Sequence, residues 1–170
     1  MEATFNNITL RYERIGKENS DGPVLLFLHE ALGSIAQWKD FPEKLCSKLK
    51  LPGIVYERQG HGASSPLNEQ REANYLHNYA LRELPAFLDA IHENRPLVLV
   101  GHSDGGTIAL LFASAHPDRV RALITMAAHV INEPETVVGI EPAVNAYQVG
   151  KLDGWKKYHG DKTEALFYAW

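Results

Sequence analysis

Leu97-Val98-Leu99-Val100-Gly101-His102-Ser103-Asp104-Gly105-Gly106-Thr107-Ile108-Ala109-Leu110-Leu111 decides how the rest of the chain is read. Four apolar residues come first and predict a strand buried on both faces. A run that is apolar nearly all round follows from Thr107 to Ala115, and it predicts a buried helix stopped by His116-Pro117. Between them lies Gly101-x-Ser103-x-Gly105, the strand–turn–helix context of a nucleophile elbow. Such a turn is tight enough to strain the serine backbone, so its flanking positions must be glycine or another small residue. It lifts the Ser103 hydroxyl to the carboxyl end of the sheet and aims the Asp104 amide at a developing oxyanion. The structural alternative is a glycine-rich turn in which Ser103 only caps a helix.

Working outward, the same kind of apolar run recurs at Val24–Leu28, Ile54–Tyr56 and Ala122–Met126. Helical patterns lie between these runs. Ala36 to Leu49 carries Trp38, Phe41, Leu45 and Leu49 at spacings of three and four, and Leu81, Leu84, Leu88 and Ile91 make a second stripe. Pro85 predicts either a kink in that second helix or its true start. Alternating strands and helices predict an α/β fold, a mostly parallel sheet flanked by helices. Ahead of it, Ile8, Leu10 and Tyr12 alternate with polar residues as a half-buried strand, Asn6-Asn7 reads as a tight turn, and residues 17–23 read as a polar loop.

Past Ile131 the pattern changes. Glu133-Pro134-Glu135 breaks the alternation, and helix-like sequence follows with Tyr147, Trp155, Tyr158, Phe167, Tyr168 and Trp170. Asp161 and Glu164 suggest a capping box for a helix from Thr163 to Trp170. The expected organisation is residues 1–132 as core and residues 133–170 as the start of a helical cap.

Composition limits the function classes. The chain has 170 residues, 45% hydrophobic and 22% charged, with a net charge of −4. That suits a globular protein and argues against nucleic acid or an anionic membrane as partner. Cys46 is the single cysteine, which excludes an intrachain disulfide and a cysteine-based metal cluster. It reads as a small core residue on a helix. No basic stretch followed by an apolar run opens the chain and no run is long enough to span a bilayer, so a cytoplasmic location is expected. No histidine or carboxylate spacing fits a zinc site, and no metal or cofactor is expected.

Three segments in this order resemble the α/β-hydrolase superfamily. They are His29-Glu30-Ala31, then Tyr56-Glu57-Arg58-Gln59-Gly60-His61-Gly62-Ala63-Ser64, then Gly101-His102-Ser103-Asp104-Gly105-Gly106. The likeness runs from about Phe5 to Ile131, and the branch it looks most like holds esterases, lactonases and carbon–carbon bond hydrolases. It implies Ser103 as nucleophile and the amides of Ala31 and Asp104 as oxyanion hole. The chain departs from the family at Glu30, where glycine is usual. A carboxylate there would sit beside the oxyanion hole and bias it against anionic substrates. His29, Glu30, His102 and His129 are candidate pocket residues.

A serine hydroxyl needs a base, and the base needs an orienting acid. The resemblance places both after later strands that this sequence does not contain, so the chain reads as the front portion of a longer enzyme. Within it, His129 is the one candidate for a substitute base, with pocket wall or loop anchor as its plainer role. His159 lies near Asp153 and Asp161 in the sequence, but a cap positions a base poorly. The expected substrate is a small apolar ester or related carbonyl compound. The alternatives are a catalytically incomplete hydrolase-fold binding protein, or a carbon–carbon bond hydrolase or acyltransferase on the same fold. The edge of the last strand is a candidate for homo-oligomer pairing.

Overall fold

The computed structural model describes every residue except 17–21, 132, 152 and 170, and the side chains of 136 and 137. Most of the expected polar loop at 17–23, and Trp170, therefore fall outside the described residues.

The chain opens with β1 (Glu2–Phe5) and β2 (Ile8–Ile15), an antiparallel hairpin. Its turn is Asn6-Asn7, both with positive φ, the conformation a two-residue hairpin requires. The apolar runs then form β3 (Val24–Leu28), β4 (Gly53–Tyr56), β5 (Leu97–His102) and β6 (Val120–Met126). The sheet order is β1-β2-β4-β3-β5-β6, and the last four strands are parallel. The α/β expectation holds.

Alternate residues of the central strands face opposite layers. Leu26 and Leu28 of β3 pack with Leu84, Phe87, Ile108 and Phe112, whereas Leu25 and Phe27 pack with Cys46 and Trp38. The first layer is built by α2 (Tyr75–Asn78), α3 (Leu84–Ala90) and α4 (Asp104–Ala115), the second by α1 (Phe41–Leu49). Strand β6 is one edge of the sheet, and its Ile124 is 43% exposed.

Two helices differ from the pattern read in the sequence. The stretch expected to be helical from Ala36 breaks in two: a 3-10 turn at Ile35–Trp38, then α1. Lys39 takes φ 54°, and Pro42 sits in the first turn of α1, where its ring blocks continuation from upstream. The Leu81 stripe is interrupted by a π-helical turn at Tyr79–Glu83, directly before Pro85. Proline cannot donate to the carbonyl four residues back, and the wider turn absorbs the missing bond. The extra residue rotates Leu81 outward, leaving it 42% exposed.

Beyond β6 lie α5 (Pro134–Gln148), α6 (Lys156–His159) and α7 (Thr163–Tyr168). The expected capping box does not form: the N-cap of α7 is Lys162, without a side-chain cap bond, and Thr163 Oγ1 instead donates to Gly160 O at 2.7 Å. Leu166 and Phe167 pack on Ala31 and Leu32, and Tyr147 stacks on Phe167 at 4.0 Å. These aromatics are packing residues. Gly139, inside α5, has open space around it. Gly139→Ala should therefore stabilise the protein by about 0.5–1 kcal/mol through helix propensity, read as a higher urea midpoint.

Candidate active site

One residue, Ser103, separates β5 from α4, at φ 52° and ψ −120°. An L-residue adopts this conformation only when its surroundings force it. Ser103 N–H donates to Met126 O at 2.8 Å, and Ser103 O accepts from Gly106 N and Thr107 N at 2.8 and 3.1 Å. The backbone is thus held from both sides. Ser103 occupies the N-cap position but makes no side-chain cap bond. The helix-cap alternative fails on that point. Among the described residues the hydroxyl has no hydrogen-bond partner, histidine included.

The glycines explain how the turn fits. A Cβ on Gly105 would fall on the Leu28 carbonyl oxygen and 2.6 Å from His29 O. A Cβ on Gly101 would lie 2.6 Å from the Gly105 carbonyl carbon. Bare backbone lets the first turn of α4 press against the end of β3, which brings Ser103 next to the loop that follows β3.

That loop is a turn, Glu30 to Gly33, closed by Gly33 N–H on Glu30 O at 3.1 Å. Every carbonyl from His29 to Leu32 is tied. Arg58 donates to His29 O at 2.6 Å and to Glu30 O at 2.7 Å. His29 Nδ1 donates to Glu30 O at 2.7 Å, His61 Nε2 to Ala31 O at 2.8 Å, and His159 Nε2 to Leu32 O at 2.9 Å. A trans peptide points its N–H opposite its carbonyl. Tying Glu30 O backward therefore turns the Ala31 N–H the other way, and among the described residues that amide has no acceptor. The Asp104 N–H is likewise an orphan donor of the first helical turn.

The tautomers follow from the partners. Arg58 N–H donates to His29 Nε2 at 3.2 Å, so the His29 proton sits on Nδ1. Gly62 N–H donates to His159 Nδ1 at 3.0 Å, so the His159 proton sits on Nε2. Burial, then the Arg58 charge, hold His29 and His61 well below the usual histidine range. Burial also lowers His159. His61 has a carbonyl at each ring nitrogen, Ala31 O at 2.8 Å and Gln59 O at 3.1 Å. A neutral ring has one N–H, and the shorter contact takes it.

Asp104 is buried beside the nucleophile. Tyr75 OH donates to its Oδ2 at 2.7 Å, and His129 Nε2 lies 3.9 Å from Oδ1. Burial and this carboxylate push the Tyr75 phenol upward. His129 lies beyond the strand: β6 stops at Met126, Ala127 turns at φ 51°, and the His129 backbone is bonded through both N–H and carbonyl to Thr107 Oγ1. Its ring faces Asp104. Glu30 and His102 are half-exposed, 3.5 Å apart, and line a small cleft of about 50 Å³ with His29, Ser34 and Trp38. His129 is not part of that cleft. His159 lies against the core loops and not in an acid–base pair with Asp153 or Asp161.

Reading the sequence missed Arg58, Tyr75 and the carbonyl-binding roles of His61 and His159. It also missed Glu83. That carboxyl accepts Gln59 N–H at 3.0 Å, its other oxygen is buried without a partner, and burial pushes it up to about 7. The unfolded side chain ionises near 4.5. The protonated form is thus favoured by folding, and that contribution is whole below pH 4.5 and lost as pH rises to about 7. Glu83→Gln should abolish this loss and exceed the wild type at pH 8 by on the order of 3 kcal/mol, checked by Tm against pH.

Among known proteins, the family model described as alpha/beta hydrolase fold matches residues 23–166. Protein phosphatase methylesterase 1 of Bos taurus is 30% identical over 106 residues, 61% of this chain and 27% of that protein. Proline iminopeptidase of Lactobacillus helveticus is 31% identical over 114 residues, 66% of this chain and 38% of that protein. The matched stretch is thus well under two thirds of either relative. An alpha/beta hydrolase enzyme from a Medee basin deep-sea metagenome library superposes with TM-score 0.75 at 15% identity, over 99% of this chain and 70% of that one.

Proposed function

The chain belongs to the alpha/beta hydrolase fold family, and from that premise we propose that Ser103 is the nucleophile of a serine hydrolase acting on a small ester or related carbonyl substrate. The observation that carries this reading is the backbone of Ser103. It is strained, held from both sides, and leaves its hydroxyl uncommitted at the head of a helix. Ser103 attacks the carbonyl carbon, and the oxygen becomes an oxyanion received by the Asp104 and Ala31 amides. The helix dipole of α4 adds to that stabilisation. The Glu30 carboxylate, 3.5 Å from His102, disfavours substrates with a negative group beside the carbonyl.

The attacking hydroxyl must lose its proton. Among the described residues the His129 ring makes no hydrogen bond to the Ser103 hydroxyl, and its Nε2 lies 3.9 Å from Asp104 Oδ1. We assign the base and its acid to a part of a longer protein to which these 170 residues belong. Residues 133–170 then form the start of a cap over the core. A fluorophosphonate should label the full-length protein at Ser103, located by peptide mass spectrometry. No label, or label on another residue, would overturn the reading.

A second reading is a binding protein that holds a carbonyl ligand without turnover. It is favoured by the absence, among the described residues, of a histidine bonded to the Ser103 hydroxyl. Steady hydrolysis of an aryl ester by the protein, lost in Ser103→Ala, excludes it.

A further inference from the structure

We propose that His159 is a positioning residue of the oxyanion hole, so that the seating of the α6–α7 segment is felt at the nucleophile. This rests on the reading of Ser103 and the Ala31 amide given above.

The observation is an ordered set of three imidazoles behind one turn. His29 donates to Glu30 O, His61 to Ala31 O and His159 to Leu32 O, one ring for each successive carbonyl. The rings are neighbours, with centroids 4.5 Å apart for His29 and His61 and 6.0 Å for His61 and His159. The Glu30 carbonyl shares its peptide with the Ala31 N–H and fixes it directly. His61 and His159 hold the next two peptides. The one His159 holds carries the Gly33 N–H that closes the turn on Glu30 O at 3.1 Å, so His159 acts on the Ala31 amide through that closure. A donor for an oxyanion is useful only if it is already aimed when charge develops.

The first two imidazoles belong to the core. His159 is different, because it ends α6, 127 residues along the chain from Leu32. Yet it is only 2% exposed, whereas Lys156, Lys157 and Gly160 around it are exposed. It spans two loops at once. Nε2 donates to Leu32 O, and Nδ1 accepts the Gly62 N–H at 3.0 Å. Gly62 adjoins His61, so His159 braces both the third carbonyl of the turn and the loop that presents the second imidazole. Leu166 and Phe167 press on Ala31 and Leu32 from the same side. Lys162 Nζ donates to Gly62 O at 2.6 Å and to Ser64 O, which fastens the segment to that loop.

Only a neutral ring can do this, since one nitrogen accepts while the other donates. Burial keeps it in that state. Glutamine carries a donor and an acceptor on one side chain and can replace both contacts. Leucine fills similar space with neither.

The test is the rate of fluorophosphonate labelling at Ser103 in the full-length protein, resolved into reversible binding and covalent reaction. His159→Leu should slow the covalent step about tenfold or more, with binding changed less than about twofold. His159→Gln should recover most of the rate. Should His159→Leu fail to fold, His159→Asn, too short to span both contacts, should show the same slowing. A folded Leu or Asn variant that reacts at the wild-type rate overturns the proposal while the Ser103 reading stands. Equal slowing in the Gln variant also overturns it, because the hydrogen bonds would then be irrelevant. A wild-type protein that does not label at Ser103 defeats the underlying reading instead.

Discussion

Gly105→Ala is expected to cost more than about 4 kcal/mol, enough to leave a domain of ordinary stability largely unfolded. The added carbon would land on the Leu28 carbonyl oxygen, with His29 O also inside van der Waals contact. Both obstacles are backbone, so no rotamer change relieves them. Either α4 must lift from β3 or the β3–β5 pairing from Val24↔Leu97 to Leu28↔Gly101 must open at its end. A typical overpacking cost of about 1–3 kcal/mol assumes side chains that can yield. The check is urea denaturation followed by circular dichroism, beside Gly139→Ala, which meets nothing within 4 Å. If Gly105→Ala unfolds at the wild-type midpoint, the close packing of α4 on β3 is not the reason for glycine at this position.

The same contact explains why so much was legible in the sequence. Gly101, Ser103 and Gly105 are constrained by steric requirements that act within a few residues, and the apolar runs around them report burial on two faces. Local causes leave local signals. The breaks in the helices were less visible, because Pro42 and Pro85 mark a disturbance without fixing its form. Lys39 at φ 54° and the π turn at Tyr79–Glu83 are outcomes of how those helices fit the sheet. The turn after β3 was legible as a place and not as a device. Its carbonyls are held by Arg58, His29, His61 and His159, and the last of these lies far along the chain, where nothing local distinguishes it from a surface histidine. His129 was named as a candidate from the sequence, and among the described residues its ring makes no hydrogen bond to the Ser103 hydroxyl and lies 3.9 Å from Asp104 Oδ1.

Arg58→Leu is expected to destabilise the protein by about 2–5 kcal/mol and to slow labelling of Ser103 about a hundredfold. Arg58 is 1% exposed, and its two terminal nitrogens hold His29 O and Glu30 O. Leucine would strand His29 O in a dry site, at about 1–3 kcal/mol, and would leave Glu30 O only its neutral donors, His29 Nδ1 and the Gly33 N–H. The turn then reorients to find a donor for His29 O, and the aim of the Ala31 N–H is loosened. One consequence opposes this loss. The Arg58 charge depresses both His29 and His61, so its removal eases their protonation. Another adds to it. Arg58 is a cation that offsets burial of Glu83, whose carboxyl would rise further without it. The two substitutions should therefore couple. At pH 8, Arg58→Leu with Glu83→Gln should be less destabilised than the sum of the single effects, because the carboxylate left without its cation is gone. Strict additivity would mean that Arg58 acts on the turn alone. A wild-type labelling rate in folded Arg58→Leu would mean that the turn keeps its amides aimed without it.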